Sequence, residues 1–91
     1  MTAILIRIAG RVQRVGYRDW LAREAVRHGI SGWVRNRADG TVEALLAGER
    51  DACHALLTAC RRGPPAAQVT GIEEKFAEVP AEPGFILKPT L

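Results

Sequence analysis

Isoleucines at positions 4, 6 and 8 flank Leu5 and Arg7, the period-two pattern of a strand with one buried face. From Tyr17 the period changes. Tyr17, Leu21, Ala25 and His28 fall on one helical face, with Asp19 and Glu24 in the early part and Gly29 placed to close the helix. Ile30 to Asn36 reads as a second strand, Arg37-Ala38-Asp39-Gly40 as a tight turn, and Thr41 to Ala47 as a third strand in which Val42, Ala44 and Leu46 alternate. The two form a hairpin. Glu49 to Arg62 carries Cys53, Leu56, Leu57 and Cys60 at i, i+3, i+4 and i+7, and Gly63, Pro64 and Pro65 stop this second helix. Val69 to Glu78 and Phe85 to Lys88 are weaker strand patterns, separated by the loop Pro80-Ala81-Glu82-Pro83-Gly84.

The order strand, helix, strand, strand, helix, strand, with a short terminal strand, predicts an α+β fold. It is the split βαβ or ferredoxin-like sandwich, two helices on one face of an antiparallel sheet. Residues 1–91 are read as a single domain, which should bury roughly 60 to 70% of the surface its unfolded chain exposes.

Apolar residues make up 47% and charged residues 25% of the chain, the balance of an ordinary globular protein. The first apolar run, Ala3 to Ile6, ends at Arg7, too short for a secretory leader or a membrane span. The expectation is a cytoplasmic protein with no membrane partner. Cys53 and Cys60 are seven residues apart in the helical pattern, about 10 Å at 1.5 Å rise per residue, too far for a disulfide. They read as small core residues, with no third Cys or a His at ligand spacing to suggest a metal. Trp20 and Trp33 read as packing residues, and His28 and His54 as ordinary helix residues.

The net charge of +3 is mild, but its distribution is not: Arg7, Arg11, Arg14 and Arg18 occur with no acidic residue among them. Such a segment attracts a small anion. It also opens a helix, where backbone N–H groups lack intrahelical partners and face the positive end of the helix dipole. Gly10 and Gly16 would let the loop curl so that these groups converge, and Arg18 could add a planar fork matched to two phosphate oxygens. Gly10 and Gly16 are separated by five residues and followed by Tyr17, which fails the nucleotide P-loop spacing. The dinucleotide fingerprint fails likewise. A phosphocysteine mechanism would need Cys where Val12 stands.

An anion cradle with no nucleophile or metal suits a substrate whose leaving group departs unaided. An acyl phosphate expels a carboxylate, a weak base that needs no protonation at neutral pH, so positioning and electrostatics suffice. Such chemistry still needs a side chain to hold the attacking water. Asn36, at the end of the second strand, can donate and accept at once. The competing reading is that Asn36 caps its own turn.

At these two stretches the chain resembles the acylphosphatase family. The family's first signature is met by Ile8, Gly10, Val12, Gln13, Val15, Tyr17 and Arg18, and its second by Gly32, Trp33, Val34, Asn36, Gly40, Val42 and Gly48. The Gly63-Pro64-Pro65-Ala66 segment and the closing Gly84-Phe85 extend the resemblance over nearly the whole chain. It implies hydrolysis of the carboxyl-phosphate bond of a small-molecule acyl phosphate, without metal or cofactor. Arg18 and backbone N–H groups of Gln13, Arg14, Val15, Gly16, Tyr17 and Arg18 would bind the phosphate, and Asn36 would orient the water. Inorganic phosphate would act as product and inhibitor, and the protein is expected to work as a monomer.

The chain departs from the signature at Arg14, where the family usually has Gly. If that position needs positive φ, a non-Gly residue costs on the order of 1 kcal/mol or more; alternatively, Arg14 adds a cation at the rim of the cradle. Tyr17 stands where Phe is more usual, and its hydroxyl, if buried, needs a partner. A non-catalytic anion-binding module is the alternative function. RNA binding on the sheet is disfavoured, because aromatics are 5% of the chain and the first and third strands carry none.

Overall fold

A computed structural model describes residues 1–91. The chain runs β1 (Thr2–Arg11), α1 (Tyr17–Arg27), β2 (Ser31–Asn36), β3 (Val42–Gly48), α2 (Arg50–Arg62), β4 (Gln68–Phe76) and β5 (Phe85–Leu87). The strands form one sheet in the order β4-β1-β3-β2-β5. The expected split βαβ sandwich is present, with one difference: β5 pairs in parallel with β2, so the sheet is mixed rather than wholly antiparallel. One crossing sets this direction, since the chain passes from β4 at one edge to β5 at the other over residues 77–84 and reverses on the way.

The isoleucine alternation places its residues as the pattern requires. Ile4, Ile6 and Ile8 of β1 join Val42, Ala44 and Leu46 of β3 and Val34 of β2 in one buried cluster, closed from above by Tyr17, Leu21 and Ala25 of α1 and Cys53, Leu56, Leu57 and Cys60 of α2. Cys53 and Cys60 are free and buried. His28 does not complete the inner face of α1: it is half-buried at the helix C-cap, with Nδ1 2.8 Å from the carbonyl of Glu24. One residue past Ala25 the helix turns out of the core, which is why a polar ring ends it. The opposite sheet face carries only a small apolar group, Ala3, Leu45 and Ala47 with Leu5, Trp33 and Ala77. Trp20 packs edge-on against Tyr17 at 5.3 Å. Trp33 lies on the open face under the Arg35 guanidinium and the Lys88 ammonium, at 4.5 and 4.8 Å.

Gly10 does not curl the loop that leads into α1. It sits within β1, paired with Val69 beyond a register shift at Ala9/Gly10, with φ of 121°. A Cβ there would lie 2.2 Å from the carbonyl oxygen of Gln68, so the strand can make this bulge against β4 only with glycine.

Tyr17 finds the partner its hydroxyl needs. It donates to the carbonyl of Cys60 at 2.6 Å, joining the first turn of α1 to the last turn of α2. Burial pushes the Tyr17 hydroxyl well above its ordinary value of 10.0 and the Cys60 thiol from 9.0 up to about 12. In the unfolded chain both groups ionise near their ordinary values, so above about pH 9 the unfolded form sheds protons that the folded form keeps, and stability falls as pH rises. Urea midpoints should therefore drop between about pH 9 and about pH 11. Tyr17→Phe should be less stable by about 1 kcal/mol at neutral pH and show a shallower alkaline decline. A midpoint unmoved by alkali would contradict this account.

Candidate active site

β1 ends at Arg11, Val12 turns into the core, and the loop Gln13–Gly16 leads into α1. Two residues of this loop have left-handed backbone: Arg14 at φ 62°, the only non-glycine residue with positive φ, and Gly16 at φ 78°. Val15 between them does not, so φ alternates in sign over three residues, the alternation that turns successive N–H groups toward one side. Gly16 is also the N-cap of α1, with no side-chain cap. None of the N–H groups from Gln13 to Asp19 donates to an acceptor in the protein. A helix start capped by Ser or Asp would have used up some of these donors; here they remain open.

Arg18 stands in the first turn of α1, half-buried and free of any ion pair or hydrogen bond. Arg14 is exposed and equally unpaired. The side chain of Tyr17 faces the core, so only its main-chain N–H is presented to the loop. Val15 packs partly on the core.

Asn36 ends β2. In the sheet register Val42 lies opposite Ile8 on one side and opposite Asn36 on the other. Directly opposed residues project to the same face. Asn36 is thus on the helix-bearing face, two strands and about 9 to 10 Å from β1. Its Oδ1 is buried with no hydrogen-bond partner, an arrangement that demands explanation. The turn-capping reading of Asn36 fails, because the turn is capped by Asp39 instead. The Asp39 carboxylate accepts from the N–H of Thr41 at 3.0 Å and from its hydroxyl at 2.6 Å, and these bonds hold its carboxyl below the usual range.

Gln13 connects the two parts. Its Nε2 donates to the carbonyls of Arg37 at 2.8 Å and Thr41 at 2.9 Å. The loop is thereby fastened to the residue that follows Asn36. This side-chain role was not readable from the sequence, where Gln13 figured only as a main-chain donor; a glutamine beside a candidate loop carries no sign of which distant carbonyls it will find.

Two hollows of the surface lie elsewhere. One of about 260 Å³ lies along the open sheet face at Leu5, Arg7, Glu43 and Lys75, and one of about 360 Å³ is lined by Trp20, Arg62, Pro64 and Pro65. Small anions need donors rather than volume, so neither displaces the loop as the candidate site.

The family model described as Acylphosphatase matches residues 4–86. The chain belongs to the acylphosphatase family. It is 61% identical over 83 residues to the acylphosphatase of Acidiphilium cryptum, covering 91% of each chain, and 50% identical over the full length of both chains to that of Rhodospirillum rubrum. The crystal structure of acylphosphatase from Bacillus subtilis superimposes with a TM-score of 0.93 at 34% identity, covering 97% of this chain and 99% of that one. The chain is an enzyme of this family.

Left-handed Arg14 gives the family departure a measurable consequence. Arg14→Gly removes roughly 1 to 2 kcal/mol of left-handed strain but restores roughly 0.5 to 1 kcal/mol of unfolded-chain freedom. Relief wins. The variant's melting temperature should rise slightly, and a fall would show that the guanidinium contributes more to the folded state than its backbone costs.

Proposed function

We propose that the protein hydrolyses the carboxyl-phosphate bond of small acyl phosphates to a carboxylate and inorganic phosphate, with no metal or cofactor. The observation that carries this reading is the buried, unpartnered Oδ1 of Asn36 on a strand end fastened by Gln13 to a loop of open amides. The phosphoryl oxygens are held by N–H groups of Gln13 to Arg18 and by the Arg18 guanidinium, the one half-buried cation here with no internal counter-ion. Three charged oxygens thereby meet donors that need no reorganisation as charge shifts in the transition state.

Asn36 accepts a hydrogen bond from the attacking water through Oδ1 and aims its lone pair at phosphorus. The new P–O bond forms as the bond between phosphorus and the carboxylate oxygen breaks, and a phosphate oxygen of the substrate takes the proton of the water. The departing carboxylate has a conjugate acid near pKa 4, so no general acid is required. The free, buried Cys53 and Cys60 suit a reducing compartment such as the cytoplasm, and we assign the protein there, acting as a monomer, with inorganic phosphate as a competitive product inhibitor.

Benzoyl phosphate tests the reading. Hydrolysis should persist after treatment with a chelator, be inhibited by inorganic phosphate, and drop by about 10²- to 10³-fold in folded Arg18→Ala and Asn36→Ala variants, the usual cost of deleting one oriented polar partner. Turnover by the parent protein no faster than in buffer would overturn it. Phosphate that raises the melting temperature in the absence of turnover would leave only a binding module.

A further inference from the structure

Asn36 faces the helices, but its two chain neighbours face the other way. Arg35 and Arg37 lie on the open face of the sheet, and one carboxylate oxygen is near both: Glu43 Oε1 accepts a hydrogen bond from Arg37 Nη1 at 3.2 Å and lies 3.8 Å from Arg35 Nε, a charge contact to a buried N–H that makes no hydrogen bond. Its second oxygen, Oε2, lies 3.7 Å from Arg7 Nη2. The arrangement follows from register, because Glu43 of β3 is opposite Arg7 of β1 and opposite Arg35 of β2. The Glu43 side chain is only 12% exposed; Asp39 lies 3.8 Å from Arg7, and Glu73 of β4 stands opposite Arg7 in the register. Glu43 is therefore the one carboxylate within 4 Å of Arg35 and of Arg37, the two residues that bracket Asn36. Without it neither has a carboxylate partner.

The same Arg37 is the anchor for the loop. Its carbonyl accepts from Gln13 Nε2, and its N–H donates to Thr41 O at 2.8 Å, the carbonyl that is the second acceptor for Gln13. We propose that Glu43 is a positioning residue for the hydrolytic reaction: from the open face it fixes Arg35 and Arg37, and through them the pitch of Asn36 and the seat of the phosphate loop. With the Glu43 side chain only 12% exposed, loss of its charge costs stability as well, and a misplacement of about 1 Å at a reacting group can cost as much as 10²-fold in rate. Glu43 acts on rate as well as on folding. The inference rests on the reading of Asn36 as the group that orients water.

The test compares kcat, KM for benzoyl phosphate and the inhibition constant of phosphate in Glu43→Gln, Arg37→Met, the double variant and Asn36→Ala, at a temperature where each is folded. Glu43→Gln should lower kcat by roughly ten- to a hundredfold, and Arg37→Met by a similar factor. The double variant should be no slower than the slower single variant, since both break one link. Losses that multiply in the double variant, or Glu43→Gln with the parent kcat while Asn36→Ala is inactive, would overturn the proposal alone. Asn36→Ala with the parent kcat would remove the water-orienting reading and the proposal with it. If Glu43→Gln does not fold, Arg37→Met decides: reduced kcat supports the link and parental kcat refutes it.

Discussion

A single carboxamide holds the candidate site together. The Gln13 side chain gives both of its N–H donors to main-chain carbonyls of the hairpin turn, and no other side-chain hydrogen bond leaves the loop before α1 begins. Two neutral hydrogen bonds contribute only about 1 kcal/mol each to stability, but their geometric effect is larger. They convert a loop that could wander over the end of the sheet into one whose position is set relative to Asn36. Everything the site can do to an anion presupposes that fixed relation.

The loop gains its donors by leaving them unsatisfied. Gly16 caps α1 without a side-chain oxygen, and the alternating φ signs at Arg14, Val15 and Gly16 keep the chain from folding its N–H groups into a turn. That is a local sacrifice of stability, and it occurs where the rest of the fold is firmest: Val12 and Tyr17, on either side of the loop, are each 1% exposed. Buried anchors at both ends allow the residues between them to be strained. Arg14, in a conformation that glycine would adopt freely, is tolerated for the same reason.

The two faces of the sheet divide the labour. The helix-bearing face is apolar except where Asn36 ends β2, and there the buried Oδ1 is left without a partner. The open face balances Arg7, Arg35 and Arg37 against Glu43 and Asp39. Because residues alternate along a strand, Arg35 and Arg37 on the open face lie next in sequence to Asn36 on the other. Rigidity on the open face thus reaches Asn36 through the backbone alone.

Period-two alternation in β1 and β3, the helical face that begins at Tyr17, the i, i+3, i+4, i+7 apolar face of α2 with its glycine-proline stop, and the weaker strand patterns after Val69 were enough to place all seven elements in chain order, since these patterns record local burial. The uncapped start of α1 was equally legible, because it is a property of neighbours in sequence, whereas Arg7 of the same basic segment pairs with Asp39 and Glu43 on the open face. What tertiary structure alone decided was of another kind. The parallel seat of β5, the bulge that claims Gly10 for β4, the reach of Gln13 to Arg37 and Thr41, and the placing of Glu43 among three arginines all join residues distant in sequence. Each depends on strand register, and register is fixed only when the buried faces of all the strands are packed at once.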